Sequence, residues 1–414
     1  MKILRKIMLL SFVTLIVMFF YITVRTATND LSESKSFTVI LNNVDEDITM
    51  TEKIPRNKNI DDEVENAAQL KYILQWTSSR NVPFMFMGKG RQGFIDKKCP
   101  YTNCFVTDDR KYFGGDITKF DVIAFAGPEV IRMSKEKLPK ERSPHQKYAF
   151  ASIESSDYYP VCSNRFDGFF NWTWTFRLDS DVRWGYMVVR DKDNKVVGPQ
   201  KNMNWIKFED MDPVSDKLKE ELSSKTKAAA WFVSNCNSRS KREKFVKELQ
   251  KQLKQYDLTV DVYGKCGPLK CSRADESACF NLIKEKYYFY ISFENSYSED
   301  YATEKLLNAV QNYAVPIVYG AANYSRFLPD QSYLNARELG AEDLAAKMNH
   351  LIKNPNDYFE YFRWTNYYSY HRKMDSVETD EYCLFCTILN DQRLVKEQKV
   401  YQKFREWWDP PNRC

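Results

Sequence analysis

The sequence predicts an α/β protein of two domains, the second of them a doubly wound, nucleotide-binding unit. Three observations carry this expectation. The chain has 414 residues, too many for one ordinary domain. Strand-like apolar runs alternate with helical patterns. In the second half, two strand–helix–strand alternations follow directly on one another.

The elements run in this order. Residues Ile7 to Val24 (IMLLSFVTLIVMFFYITV) carry no charge and follow Lys2, Arg5 and Lys6. That run is long enough to span a bilayer and longer than the core of a cleaved signal peptide. It predicts an uncleaved anchor over 7–24, with residues 1–6 cytoplasmic and the bulk of the chain lumenal. Residues 25–65 are polar and aperiodic and read as a stem. Gln69 to Trp76 carries apolar residues at helical spacing, whereas Val122–Phe125 (VIAF) and Lys147–Ile153 (KYAFASI) read as buried strands. These belong to a first domain over 66–215. A charged, proline-bearing break at Met211–Ser224 precedes a second domain over 216–375. There Ala228–Ser234 (AAAWFVS) is a strand. Lys241–Gln255, with Phe245, Leu249 and Leu253 at four-residue steps, is an amphipathic helix, and Leu258–Gly264 is the next strand. Tyr287–Phe293 (YYFYISF), the helix over Tyr301–Tyr313 and Val315–Gly320 repeat the pattern. Residues 376–414 form a cysteine-containing tail.

Composition excludes little except one partner. Net charge is +5, from 61 basic and 56 acidic residues, which gives no basic field for nucleic acid. Aromatics make up 15% of the chain, a share that suits stacking on sugar rings or bases, although two cores absorb most of them. Ten cysteines fit an oxidising compartment. The close pairs Cys99/Cys104, Cys266/Cys271 and Cys383/Cys386 invite a zinc reading, but none of the three histidines lies near them, so these six are disulfide candidates. Spacing does not fix their connectivity. Asn171 and Asn323 head glycosylation sequons, the first inside an aromatic block that should be packed.

Chemistry is expected at the loops before the two helices of the second domain, because ligands sit at the carboxyl ends of strands and helix N-termini favour anions. One helix opens at Tyr301-Ala302-Thr303-Glu304-Lys305, the other near Arg242, behind Arg239. Two cations and two helix ends thus converge on one sheet edge, a setting for a diphosphate. A solvated Lys305 and a surface Arg242 would explain the spacing equally well. Neither GxGxxG nor GxxxxGK[ST] occurs. The triplets Asp179-Ser180-Asp181, Asp191-Lys192-Asp193 and Asp210-Met211-Asp212 offer a metal-bound alternative for the same electrostatic task.

The segment FYISFENSYSEDYATEKLLNAVQNYAVPIVYGAANYS (289–325) resembles the signature of the α1,3-fucosyltransferases, glycosyltransferase family 10. CPYTNCFVTDDR (99–110), FNWTWTFRLDSD (170–181), WFVSNCNSRSKR (231–242) and VDVYGKCGPLKC (260–271) resemble further blocks in the same order, so the resemblance spans about 70–414. The tail YCLFC…WWDPPNRC (382–414) is similar to the invertebrate and plant branch that fucosylates the N-glycan core. The resemblance implies a GT-B fold of two facing Rossmann-like domains, with the acceptor on the first and GDP-fucose on the second. It implies inverting transfer to an N-glycan GlcNAc, no tightly bound cofactor, a divalent metal at most stimulatory, and anchoring in the Golgi membrane. By motif, Tyr301, Glu304 and Lys305 contact donor phosphates or fucose, Arg242 supports the diphosphate, and Glu294 is a further site candidate. The family's base is the Glu of a Glu-Ser-Pro segment. The matching residue is Glu154 in SIESSDYYP, where Ser156 replaces the proline and Asp157 is a competing carboxylate. Antennal GlcNAc as acceptor, and a glycan-binding protein without catalysis, are the alternatives.

Overall fold

A computed structural model describes residues 69–78, 80, 83–271, 276–411, 413 and 414. The expected anchor and stem lie outside these residues. Among the described residues no helix is long and apolar enough to cross a membrane.

The first sheet holds six parallel strands: β1 (Lys71–Gln75), β2 (Cys104–Thr107), β3 (Val122–Ala126), β4 (Lys147–Ser152), β5 (Trp172–Thr175) and β6 (Val182–Arg183), in the order β2-β1-β3-β4-β5-β6. β3 and β4 are buried along their whole length, as continuous apolar runs in a parallel sheet should be. β1 corrects an expectation. Its helical-looking spacing is a strand paired with both β2 and β3. Ile73 and Leu74 are wholly buried on opposite faces, so apolar residues are needed on both sides and the period of a half-exposed strand is lost.

A hairpin of β7 (Val188–Asp191) and β8 (Val196–Gly198) follows. The second sheet then runs β9 (Lys227–Phe232), α1 (Arg242–Leu253), β10 (Val260–Tyr263), α2 (Glu276–Lys286), β11 (Tyr287–Phe293), α3 (Glu304–Gln311), β12 (Val315–Tyr319), β13 (Leu334–Asn335) and α4 (Ala336–Lys353). Its order is β10-β9-β11-β12-β13, again all parallel. Leu249 and Leu253 of α1 are buried against Phe289, Ile291 and Met348, as their spacing requires. The order reverses between β9 and β11. That switch point is where an open α/β sheet leaves a crevice for a ligand. β14 (Tyr368–His371) joins neither large sheet and pairs antiparallel with β7, in a three-stranded sheet with β8.

The tail is part of the first domain rather than an appendage. α5 (Glu381–Asn390) covers one face of the first sheet, with Phe385 stacked on Trp174 at 4.5 Å. α6 (Phe404–Trp408) covers the other, with Trp408 against Phe150 at 4.9 Å. All ten cysteines are paired: Cys99–Cys383, Cys104–Cys386, Cys162–Cys414, Cys236–Cys266 and Cys271–Cys279. The three close doublets therefore never bond within themselves. Three of the bridges tie the tail to the first domain.

One buried charge gives the fold a pH signature. Lys225 is 3% exposed, and its amine donates to the carbonyls of Lys284 at 2.6 Å and Ile283 at 3.4 Å, at the end of α2. Burial pulls its pKa down to about 7. Between that value and the ordinary lysine value near 10.4, the unfolded chain binds a proton that the folded chain does not. Unfolding free energy therefore rises with pH across this window. Urea unfolding at pH 7.5 and 9.5 should show the rise, and Lys225→Met should flatten it. An unchanged slope in the variant would refute the assignment.

Candidate active site

The site grows from the two loops that leave β9 and β11 at the switch point. After β11 the chain turns inward at Glu294, which is 1% exposed. Its carboxylate accepts from Thr303 N and Thr303 Oγ1, both at 2.8 Å, and so occupies the first free amide of α3. Its second oxygen lies 3.2 Å from Lys305 Nζ. Lys305 also reaches Thr303 Oγ1 at 2.7 Å and Glu304 at 2.9 Å. Burial opposes the charge on Lys305, but the Glu294 and Glu304 carboxylates outweigh it and hold the ammonium more firmly protonated than an ordinary lysine. Burial pushes the Glu294 carboxyl up, against the pull of Lys305. Lys305 is thus a fixed cation at a helix N-terminus rather than a solvated surface lysine.

Arg242 is placed differently. It opens α1 behind Lys241, whose φ of 58° turns the chain into the helix. Its guanidinium is 4% exposed, bonds the Phe293 carbonyl, and lies 5.7 Å from the Trp231 ring. Its Nε has no hydrogen-bond partner. Burial lowers its pKa, with Glu294 acting in the other direction. Arg242 therefore ties the β9 loop beneath the end of β11. Arg239 is the more exposed arginine of this loop and pairs with Asp157 at 3.0 Å.

The first domain meets these loops through the segment after β4. Ser155 and Ser296 hydroxyls lie 2.6 Å apart, and Ser156 and Ser298 hydroxyls 2.7 Å apart. Asp157 is held by Arg239 and by Arg413, each at 3.0 Å, and accepts from Tyr297 N. Glu154, half-buried, is not clamped in this way. Its side chain accepts one hydrogen bond, from the Tyr301 hydroxyl at 3.3 Å. Tyr301 is 3% exposed and packs edge-on against Phe176 at 4.9 Å and Tyr186 at 6.3 Å. Burial lifts both phenols well above their ordinary range, with Glu154 adding to the effect. Tyr301, Glu304, Lys305, Glu294 and Glu154 are thus gathered in one place.

The sequence names Asp157 but not its partners, and it does not single out the two serine pairs or Asp300. The serine pairs join partners about 140 residues apart, as in Ser155–Ser296, and the Asp157 clamp reaches 82 residues to Arg239 and 256 to Arg413. Asp300, with a fully buried side chain, binds Lys201 and Arg326, each at 2.7 Å. Its only sequence signal was its place in an unusually polar loop.

Asn171 is 5% exposed. Its Nδ2 donates to the Lys399 carbonyl at 2.8 Å, and its Oδ1 accepts from Tyr148 N at 2.9 Å, so the atom a glycan would need is already bonded inside the fold. Asn323 is exposed, with Ser325 Oγ donating to its Oδ1 at 2.7 Å. The aspartate triplets are engaged separately. Asp179 pairs with Arg177, Asp181 with Lys399 and Tyr401, Asp191 closes the β7–β8 turn, and Asp212 takes the Tyr367 hydroxyl.

Two doubly wound parallel sheets with a polar centre between their loops form an α/β architecture of the GT-B type. Residues 68–187 match the family description "Fucosyltransferase, N-terminal", and 222–407 match "Glycosyltransferase family 10 (fucosyltransferase) C-term". The chain belongs to glycosyltransferase family 10, the fucosyltransferases. It is 36% identical over 315 residues to alpha-(1,3)-fucosyltransferase C of Drosophila melanogaster, covering 75% of this chain and 70% of that one. It is 29% identical over 365 residues to glycoprotein 3-alpha-L-fucosyltransferase A of the same organism, covering 85% and 63%. A solved alpha1,3-fucosyltransferase with GDP-fucose aligns with a TM-score of 0.45 at 14% identity, covering 82% of this chain and 97% of that one.

Proposed function

We propose that the chain transfers L-fucose from GDP-β-L-fucose, with inversion, to the 3-hydroxyl of a GlcNAc on glycoprotein N-glycans, the core GlcNAc first among them. The observation that carries this reading is the Tyr301–Glu154 hydrogen bond, which brings a carboxylate of one domain to the donor motif of the other. Glu154 takes the proton of the acceptor hydroxyl. The freed oxygen attacks fucose C1 from the face opposite GDP, and the bond from C1 to the β-phosphate oxygen breaks as the new one forms. GDP leaves with the bonding electron pair, and its charge is met by Lys305 and the N-terminus of α3. Glu294 holds Lys305 in place for that task. Arg242, from beneath, keeps the two loops at a fixed spacing.

The core acceptor is supported by the tail sequence and by the similarity to an insect enzyme whose name specifies a glycoprotein substrate. Ser156, in place of the family's proline, bonds Ser298 at the seam between the domains, and this departure makes antennal GlcNAc the alternative to test. Mass spectrometry of products made on defined N-glycans, with and without antennae, should show fucose on the core GlcNAc in both. Fucose on antennal GlcNAc alone would overturn the core assignment, and no transfer from GDP-fucose to either would overturn the whole reading.

We also place the enzyme in the Golgi membrane, anchored through 7–24 with its catalytic part lumenal. The uncharged run, its basic flank and five disulfides, which form in oxidising compartments, support this. Protease protection of the intact chain in sealed vesicles is the expected behaviour. Complete digestion would exclude it.

A further inference from the structure

Asp300 is fastened to both domains at once. Its side chain is fully buried. Its Oδ2 lies 2.7 Å from Lys201 Nζ and accepts from Leu178 N at 3.2 Å. Both partners belong to the first domain, Leu178 after β5 and Lys201 after β8. Its Oδ1 lies 2.7 Å from Arg326 Nη1, in the turn after β12 of the second domain. Glu299, next to it, touches the same two cations but is about half exposed, where solvent leaves such pairs little weight. A carboxylate taken out of water depends on its partners, and losing one of them is costly, so Asp300 is the firm member of this network.

The residue that follows is Tyr301. Asp300 has a φ of 58°, a left-handed conformation that aspartate adopts more readily than most residues. Tyr301 N donates to Ser298 O at 3.3 Å and Ala302 N to Asp300 O at 2.9 Å, so the backbone is tied on both sides of the tyrosine. The ring enters the first domain, against Phe176 and Tyr186. Its hydroxyl reaches Glu154 at 3.3 Å, longer than the roughly 2.5–3.0 Å usual for an O–H···O bond. That contact has little slack, since a further shift of about 0.3 Å would end it. Lys305 and the start of α3 are held by other bonds, from Glu294 to Thr303 and to Lys305 itself.

We propose that Asp300 is a positioning residue for the transfer reaction: it latches the donor loop to the first domain and so holds the Tyr301 hydroxyl on Glu154. The inference rests on the reading of Glu154 as the base. Asp300 touches neither Glu154 nor Lys305 and acts through its neighbour in the chain. The latch also joins the halves of the centre by charge, with Lys201 on one side of the carboxylate and Arg326 on the other.

A double-mutant cycle between Asp300→Asn and Tyr301→Phe tests it, by steady-state kinetics with GDP-fucose and a defined N-glycan. Asp300→Asn keeps the volume and removes the charge. It should lower kcat about tenfold or more, as a misplaced catalytic group does. The KM for GDP-fucose should stay within about threefold of wild type, because the interaction lost is not one that binds the donor. Tyr301→Phe should also lower kcat, and adding Asp300→Asn to it should lower kcat little further, the mark of two residues acting through one contact. A thermal melt of each variant checks folding. Should Asp300→Asn fail to fold, Lys201→Met runs the same cycle, since it leaves Arg326 and Leu178 N on the carboxylate. An unchanged kcat in either single variant overturns the latch. So does an equal loss from Asp300→Asn in both backgrounds, which a purely structural role would give, or a loss confined to the donor KM. In each of these cases wild-type transfer leaves the function intact. A wild-type chain that transfers no fucose overturns the function, and the latch with it.

Discussion

Glu154→Gln is expected to lower the rate of fucosyl transfer by about 10²–10⁴-fold, the usual contribution of a positioned general base, while GDP-fucose still binds. The amide keeps the size of the side chain and can still accept from Tyr301, so the packing around Phe176 and Tyr186 should persist. What it cannot do is take a proton. Asp157→Asn separates the two carboxylates that compete for the role. Asp157 is held by Arg239, Arg413 and Tyr297 N, so its loss should appear as lower stability rather than as a selective loss of chemistry. Full turnover in Glu154→Gln, measured beside unaltered donor binding, would remove Glu154 from the base role.

The second large effect concerns the tail. Cys99–Cys383 and Cys104–Cys386 run side by side between the first sheet and α5, spanning 284 and 282 residues. Either bond alone closes the same long loop. Replacing Cys104 and Cys386 by serine should therefore cost little. Replacing all four cysteines should cost about 2–5 kcal/mol, because only then is the crosslink to α5 lost from the unfolded chain, while Cys162–Cys414 still holds the last residues. This non-additivity is the mark of two groups acting as one. Urea unfolding of the two single-bridge variants and of the double-bridge variant measures it. If each single removal cost as much as the joint one, the bridges would be acting through local packing instead.

Much of the second domain was legible because its strands are long apolar runs and its helices carry one apolar stripe. Tyr287–Phe293 and α1 are plain instances. β1 was misread because burial on both faces erases the alternation that marks a strand. At the site, Tyr301, Glu304 and Lys305 announced themselves by a local motif at a helix start. The inward turn of Arg242 did not, since its partners are backbone carbonyls that carry no sequence signal. The serine pairs were invisible for a related reason. Their meaning lies in what stands opposite, and nothing nearby in the chain records it. The six doublet cysteines are all in disulfides, as expected, but each bonds outside its doublet, a connectivity that their spacing does not record.

The covering of the first sheet by the chain's last residues also bears on how the protein is made. A ribosome delivers β1 to β6 early, but Phe385, Phe404 and Trp408, which close both faces of that sheet, emerge near the end. Cys104 must wait for a partner 282 residues downstream. At roughly 5–20 residues per second this is a delay of some tens of seconds. During that interval the nascent first domain is an open sheet with bare aromatic faces and unpaired thiols. The second domain, whose Cys236–Cys266 and Cys271–Cys279 bridges are local, can mature in the meantime. The order of completion is thus the reverse of the order of synthesis, and the first domain is finished last.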